Sequence, residues 1–377
     1  MSTTVSATSA TSSPSIGRRI IRGRWIGRIF LIVLAALAVL KLAQGFADSP
    51  TLFWQQVING LQLGFVYALI ALGYTMVYGI VRLINFAHGD VFMVGAFASY
   101  FAISRWHMNT WLLAVFPGMD PGLAILIGTI FVLALSMAVC ALLAITIERI
   151  AYKPLRDAPR ISALITAIGV SFFLEYFAAL PFVFSPNFIT YERPFPSVTW
   201  YINNGIHQLQ PGGSVPPNSI TFSNIFIIIV ITSLILLVAL QFIVRRTKTG
   251  KAMRAVAYDK AAARLMGIHA NRIISITFAI GAALAGAAGV LYATAYTEVY
   301  FAMGILPGLK AFVAAVLGGI GSIPGAFVGA LIMGQAEVMS AGYISTPMRD
   351  AIAFTILILV LFVRPRGILG EPEREKA

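Results

Sequence analysis

Five stretches of this chain, 57–81, 121–147, 221–244, 273–297 and 311–336, contain no Asp, Glu, Lys or Arg. Each is longer than the ~20 residues a helix needs to cross the hydrocarbon core of a bilayer. That core offers no water to an unpaired N–H or C=O, so a crossing segment satisfies its backbone best as a helix. Composition agrees: of 377 residues, 59% are hydrophobic and only 11% charged, against about 25% charged in soluble domains. Apolar stretches near 29–43, 89–104, 161–184 and 346–363 are shorter or carry a charge. The fold class expected is all-α, a polytopic membrane bundle of about ten transmembrane helices, some short or interrupted.

The net charge of +13 raises the question of nucleic acid, and its distribution answers it. Of 27 Lys and Arg, 21 fall in four clusters: five within 18–28, four within 149–160, eight within 245–272 and four within 364–376. Placing all four on one side satisfies the positive-inside rule with an even number of crossings. Both termini are then cytoplasmic and the protein meets membrane lipid; no nucleic-acid partner is expected. A single cysteine, Cys140, rules out an intrachain disulfide and a cysteine-based metal cluster.

Residues 1–28 read as a disordered basic extension, rich in Ser and Thr at its start. The run from Phe30 to Leu40 reads as an uncleaved first span, although small residues at Gly45 and Ala47 also resemble a signal-peptidase site. Residues 29–367 form the transmembrane domain, and 368–377 a cytoplasmic tail. Between two early spans, the segment Arg82-Leu-Ile-Asn-Phe-Ala-His-Gly-Asp90 must break or turn the helix. Five Pro and several Gly and Asn mark 185–220 as the largest outer loop. Eight Gly with Pro307 and Pro324 between 304 and 334 fit two short spans or a re-entrant pair. Thr346 followed by Pro347 reads as the start of the last helix. Stripes of small residues, Gly281/Ala285/Gly289, Ala311/Ala315/Gly319 and Ala326/Ala330/Gly334, let backbones approach closely within one subunit or across a dimer.

No catalytic constellation emerges. There is no G-x-x-x-x-G-K-[ST], so any ATP is handled by another polypeptide. His88, His107, His207 and His269 are too dispersed for a zinc site. No metal or other cofactor is expected. Polar residues at bilayer depth cost roughly 2.5–3.5 kcal/mol when charged, so each should face protein or a wet cavity. Asn59 and Gln62 share one span, Glu175 sits in another, and Glu337 lies near the end of a third. Glu175 and Glu337 fit the interface, and His88 with Asp90 a solvent-side cap rather than a proton relay. Breaks before small-residue helices at Asn85–His88 and at Ser322–Pro324 echo each other, as interrupted helices do in transporters with repeated halves. The candidate translocation path is therefore Asn59, Gln62, Asn85, His88, Ser322 and Pro324.

The basic loop 245–272 holds an Ala-rich segment in which Asp259 can cap a helix over 260–266 that Gly267 stops. A rigid exposed helix in a loop of topology-setting charge is the kind of element a cytoplasmic partner pushes against.

Four stretches carry a resemblance. Tyr67-Ala-Leu-Ile-Ala-Leu-Gly-Tyr-Thr-Met-Val-Tyr-Gly-Ile80 with Ile84-Asn-Phe-Ala-His-Gly-Asp90 is similar to the permease subunits of bacterial branched-chain amino acid ABC importers. So are Leu309-Lys-Ala-Phe-Val-Ala-Ala-Val-Leu-Gly-Gly-Ile-Gly-Ser-Ile-Pro-Gly-Ala326 and Arg366-Gly-Ile-Leu-Gly370. The likeness covers residues 51–377. It implies an inner-membrane importer built with a second related permease, two cytoplasmic ATP-binding subunits and a periplasmic substrate-binding protein. It also implies that 255–268 is the ATPase-docking loop, with Ala261, Ala262 and Gly267 on its A-A-x-x-x-x-G core and Arg254, Asp259 and Arg264 beside them. Same-family substrates such as urea, short amides or aromatic acids stay open. A proton-coupled secondary transporter using Glu175 or His88 is the alternative of another class.

Overall fold

The computed structural model describes residues 33, 36, 39–156, 158–210, 212–364 and 367–370. The expected disordered extension at 1–28 and residues 371–377 of the expected tail lie outside them. Helical residues 39–48 lead into α1 (Pro50–Val81), where the Ser49 hydroxyl accepts from the Leu52 N–H at 3.3 Å and proline occupies the first turn. Helix α1 stops at Arg82, whose φ of 55° is left-handed, and the chain restarts helix only at His88. That is the expected break.

There follow α2 (His88–Tyr100), which continues into a π-helical turn Phe101–Arg105, and the short α3 (Trp111–Val115). Helix α4 (Pro121–Ile147) opens on an Asp120 cap at 2.9 Å and runs into a second π-helical turn, Glu148–Tyr152. Then come α5 (Arg160–Ala178), α6 (Asn224–Arg246), α7 (Lys248–Tyr258), α8 (Lys260–Leu265) and α9 (Ala270–Tyr296). The C-terminal part holds α10 (Ile305–Gly318), α11 (Ile323–Tyr343) and α12 (Arg349–Val363).

Among the described residues, six helices are long and apolar enough to cross a membrane: α1, α4, α5, α6, α9 and α11. The expected ten spans exceed these six. Helix α10, at 14 residues, reaches only ~21 Å, short of the ~30 Å hydrocarbon core. Thr346 and Pro347 do not open the last helix either. They form a 3₁₀ turn, Thr346–Met348, with no side-chain cap, and the α-helix begins at Arg349.

The fold is also not wholly helical. Within the expected outer loop, β2 (Thr199–Ile202) pairs antiparallel with β3 (Ile206–Gln208) and β4 (Ile220–Ser223), in the order β3-β2-β4. A two-residue strand β1 (Ile189–Thr190) pairs with β5 (Glu298–Val299) after α9. The reason is local: Thr199-Trp-Tyr-Ile202 is β-branched and aromatic. The Asn204-Gly205 pair turns the hairpin at positive φ, and Trp200 stacks on Phe222.

Side-chain bonds sort the bundle into two ends. At one end, the Tyr152 hydroxyl donates to Asn85 at 2.6 Å, and Ser275 and Arg156 both bind Glu148. The Ile368 N–H there reaches the Leu317 carbonyl at 2.9 Å. The described basic clusters gather at this end. At the opposite end, Gln55 accepts from the Thr221 N–H at 2.8 Å and Arg193 donates to the Thr294 carbonyl at 3.1 Å.

The two most apolar spans, α4 and α6, are the least buried, whereas α1 and α9 are the most buried. Lipid-facing helices need hydrocarbon surface; inner helices need small residues so that backbones can meet. Helix α1 crosses α11 where Gly64 and Gly60 face Gly334: a Cβ added at 334 would stand 2.5 Å from Gly64 Cα and 2.8 Å from the Gly60 carbonyl oxygen. Gly73 lies equally close to Gly281 of α9. Small-residue stripes thus pack inside one chain. Gly334→Val should lose at least the ~1–3 kcal/mol of ordinary overpacking. Gly169→Ala, with nothing within 4 Å of the new Cβ, should gain about 0.5–1 kcal/mol. Thermal unfolding of the purified protein in detergent checks the pair: a lowered midpoint for the first, an equal or higher one for the second.

Candidate functional site

The close crossing of α1 and α11 sets up the most polar place inside the bundle. Helices α1 and α11 run antiparallel with Gly64 against Gly334, and the long side chains of Tyr67 and Glu337 bridge the distance that remains between their own turns. The Tyr67 hydroxyl donates to Glu337 Oε2 at 2.9 Å. Lys310, from α10, donates to Glu337 Oε1 at 2.6 Å and lies 2.6 Å from Asp350 Oδ1 on α12. Its side chain is 3% exposed. A cation so placed is tolerated only because two carboxylates hold it.

Arg349 completes the network differently. Its Nε stands 3.7 Å from Glu337 and 3.6 Å from Asp350, beyond hydrogen-bond distance, and its side chain is 47% exposed. Two cations and two anions leave the cluster electrically neutral.

This network forms one wall of a cleft of about 420 Å³ that opens on the end opposite the basic clusters. Its other polar groups are Gln56, Asn59 and Gln62 of α1, Tyr296 at the end of α9 and Thr346 before α12, and its apolar surface includes Leu63, Val338 and Ala341. Asn59 and Gln62, expected on the path from sequence, do border open space. Glu337 does not reach for the interface as expected; it is buried and paired. Lys310, Arg349, Asp350, Tyr67, Gln56 and Tyr296 were missed. A lone lysine in an apolar span was the available signal, since such a charge needs a partner.

The remaining path candidates lie toward the basic end. Asn85 is buried and accepts from Tyr152. Ser322 caps α11, accepting from the Gly325 N–H at 3.2 Å, with Pro324 in the first turn. His88 is not a solvent-side cap: it is 2% exposed, with its ring edge-on to Tyr74 at 4.7 Å. Asp90 is buried as well and accepts from the Ser171 hydroxyl on α5. Glu175, one turn beyond Ser171, has little exposed surface and lies three residues from the outer end of α5. A separate small cavity of about 10 Å³ lies between Tyr74, Tyr78, Phe312 and Ile320.

The basic loop folds as the sequence predicts, with one addition. Helix α7 precedes the expected helix, capped by the Thr247 hydroxyl on the Gly250 N–H at 3.1 Å, and buries Met253 and Val256. Arg254 donates from it to the Val244 carbonyl. The Asp259 carboxylate then accepts from the N–H groups of Ala261 and Ala262 at 2.8 and 3.0 Å, opening α8. Gly267, at φ +78°, ends it. Arg264 projects to solvent, and Leu265 and Met266 stand 89% and 82% exposed. Among the described residues, nothing covers those two apolar side chains.

Bundle, lipid-facing shell and buried charge together define a polytopic helical membrane protein. Residues 56–361 match the family model described as "Branched-chain amino acid transport system / permease component". The chain is 41% identical over 337 residues to the high-affinity branched-chain amino acid transport system permease protein LivH of Salmonella typhimurium, covering 86% of this chain and 97% of that one. It is 42% identical over 327 residues to LivH of Escherichia coli K12, with the same coverage. To the corresponding permease protein BraD of Pseudomonas aeruginosa it is 41% identical over 328 residues, covering 86% and 98%. Among solved structures, PsaBC from Streptococcus pneumoniae in complex with Fab aligns at 12% identity and a TM-score of 0.39, over 87% of this chain and 97% of that one; so low a score has no bearing on the fold. The chain belongs to the family of branched-chain amino acid transport permease components, a transport family rather than an enzyme family.

Removing Lys310 leaves Glu337 buried without its cation. Lys310→Met should therefore destabilise by about 3–5 kcal/mol, as breaking a buried pair does. Adding Glu337→Gln should recover part of that loss, because Asp350, 35% exposed, keeps access to water. Thermal midpoints of the two variants check the order.

Proposed function

We propose that this chain is a transmembrane permease subunit of an ATP-binding-cassette importer that moves branched-chain amino acids across the bacterial inner membrane. The observation that carries the proposal is α8: a capped, glycine-terminated helix whose tip exposes Leu265 and Met266 in the most basic loop of the chain. Two adjacent exposed apolar side chains on a capped helix outside the lipid-facing spans suit a protein contact. Their basic surroundings place them in the cytoplasm by the positive-inside rule, where ATP is available. This chain supplies no phosphate loop of its own, so hydrolysis belongs to two separate ATP-binding subunits docked there. Arg254, Asp259, Ala261, Ala262, Arg264 and Gly267 shape or border that docking surface.

The 41–42% identity to the named permeases over most of their length supports the substrate class. It also supports a second, related permease and a periplasmic binding protein as the other partners. With the basic end cytoplasmic, ten crossings are our reading: the six long spans, the shorter α2, α10 and α12, and a first span that lies largely outside the described residues. The cleft beside Asn59 and Gln62 is then the outer mouth of the path, and the tight place around Tyr74 and Phe312 its closed inner end. Nucleotide-driven movement of α7 and α8 would bias which end is open, as two states of unequal stability.

The test is a pair of substitutions at the tip, Leu265→Asp and Met266→Asp. Both sites are solvent-exposed, so the thermal midpoint of the bundle should hold. ATP-driven leucine uptake and co-purifying ATP-hydrolysing chains should fall by tenfold or more, a loss of about 1.4 kcal/mol or greater. Normal uptake with a full complement of ATP-hydrolysing chains would overturn the docking role.

A further inference from the structure

We infer that the outer cleft is a binding site for the zwitterion of an aliphatic α-amino acid, with Arg349 taking the carboxylate and Glu337 with the amide oxygens of Asn59 and Gln62 taking the ammonium. This deepens the importer reading and rests on it.

The charge arrangement is what selects the ligand. Lys310 is fully engaged, 2.6 Å from both carboxylates and almost wholly buried, whereas Arg349 lies 3.6–3.7 Å from the same two groups and is half exposed. The network therefore contains one spent cation and one that still presents its guanidinium to the cleft. A guanidinium accepts a carboxylate in a two-pronged, charge-assisted pair, which a second lysine could not do. Glu337 uses one lone pair on each oxygen, for Lys310 and Tyr67, and each oxygen retains another. Because the four charges already cancel, a ligand of zero net charge enters without leaving an uncompensated ion in a low-dielectric site. An anion or a cation of the same size would leave one.

Size and surface point the same way. A volume of about 420 Å³ lies near the small end of ligand sites, and Leu63, Val338 and Ala341 give a branched aliphatic chain an apolar wall. The cleft is open to its own end of the bundle, so a solute handed over there meets these groups before any narrower part of the path.

Cys140 is the only cysteine and is fully buried, so an added thiol can be followed alone. The experiment uses full-length Ala341→Cys, purified with the chains that assemble with it, and measures its rate of reaction with a charged thiosulfonate. Leucine at ~10 times its dissociation constant should slow labelling about tenfold by occupancy. The amine 3-methylbutylamine, which lacks the carboxylate, and the acid 4-methylpentanoate, which lacks the ammonium, should protect far less. Arg349→Gln should remove the protection by leucine and Arg349→Lys restore part of it. Equal labelling with and without leucine, equal protection by the acid, or a thiol the reagent cannot reach would each overturn the site. Leucine uptake by the parent complex in proteoliposomes is measured alongside: its absence overturns the importer reading, while uptake with an unprotected thiol overturns the site alone.

Discussion

Two backbones that touch at Gly64 and Gly334 set the geometry on which the interior depends. Hydrocarbon gives helices no reason to associate through apolar burial, so close contact of small residues has to supply the attraction. Once α1 and α11 are that close, Tyr67 meets Glu337 and Lys310 reaches the same carboxylate. Charged groups persist there only as a mutually compensated set. The cleft that borders them is thus a by-product of helix packing, and its chemistry is fixed by which partner each ion has already found.

The same separation of roles runs through the bundle. Helices α4 and α6 carry the hydrocarbon-facing surface, while α1, α9 and α11 supply the small residues of the inner packing; buried polar groups come from these three and also from α2 and α10. At the basic end, Glu148 binds Arg156 of its own helix terminus and Ser275 of α9. That clasp fastens the end of α4 to the first turns of α9, immediately after the exposed tip of α8. A displacement of the tip is therefore passed to two spans at once.

Much of this was legible in the sequence where local rules suffice. The charge-free run 121–147 coincides with α4, the run 273–297 nearly coincides with α9, and the break after Val81 falls where expected. Asp259 and Gly267 bound α8 as their side-chain and backbone chemistry dictates. What could not be read is tertiary. Lys310 and Glu337 are 27 residues apart, and nothing local says that α10 turns one toward the other. His88 and Asp90 sit at a helix start, which argues for water; Tyr74 and Ser171, from two other helices, cover them. The outer hairpin had a local signal, Asn204-Gly205 after a β-branched and aromatic run, hidden among prolines that read as irregular loop.

Helix α9 spans 27 residues, about 40 Å at 1.5 Å per residue. Its first turns abut α8, and its far end turns at left-handed Thr297 into β5, which is hydrogen-bonded to β1. The exposed tip of α8 and the strand pair β1–β5 therefore hang from a single stiff rod. Communication between the two faces of the bundle needs no relay of intervening residues, because a tilt of that rod is felt at both ends together.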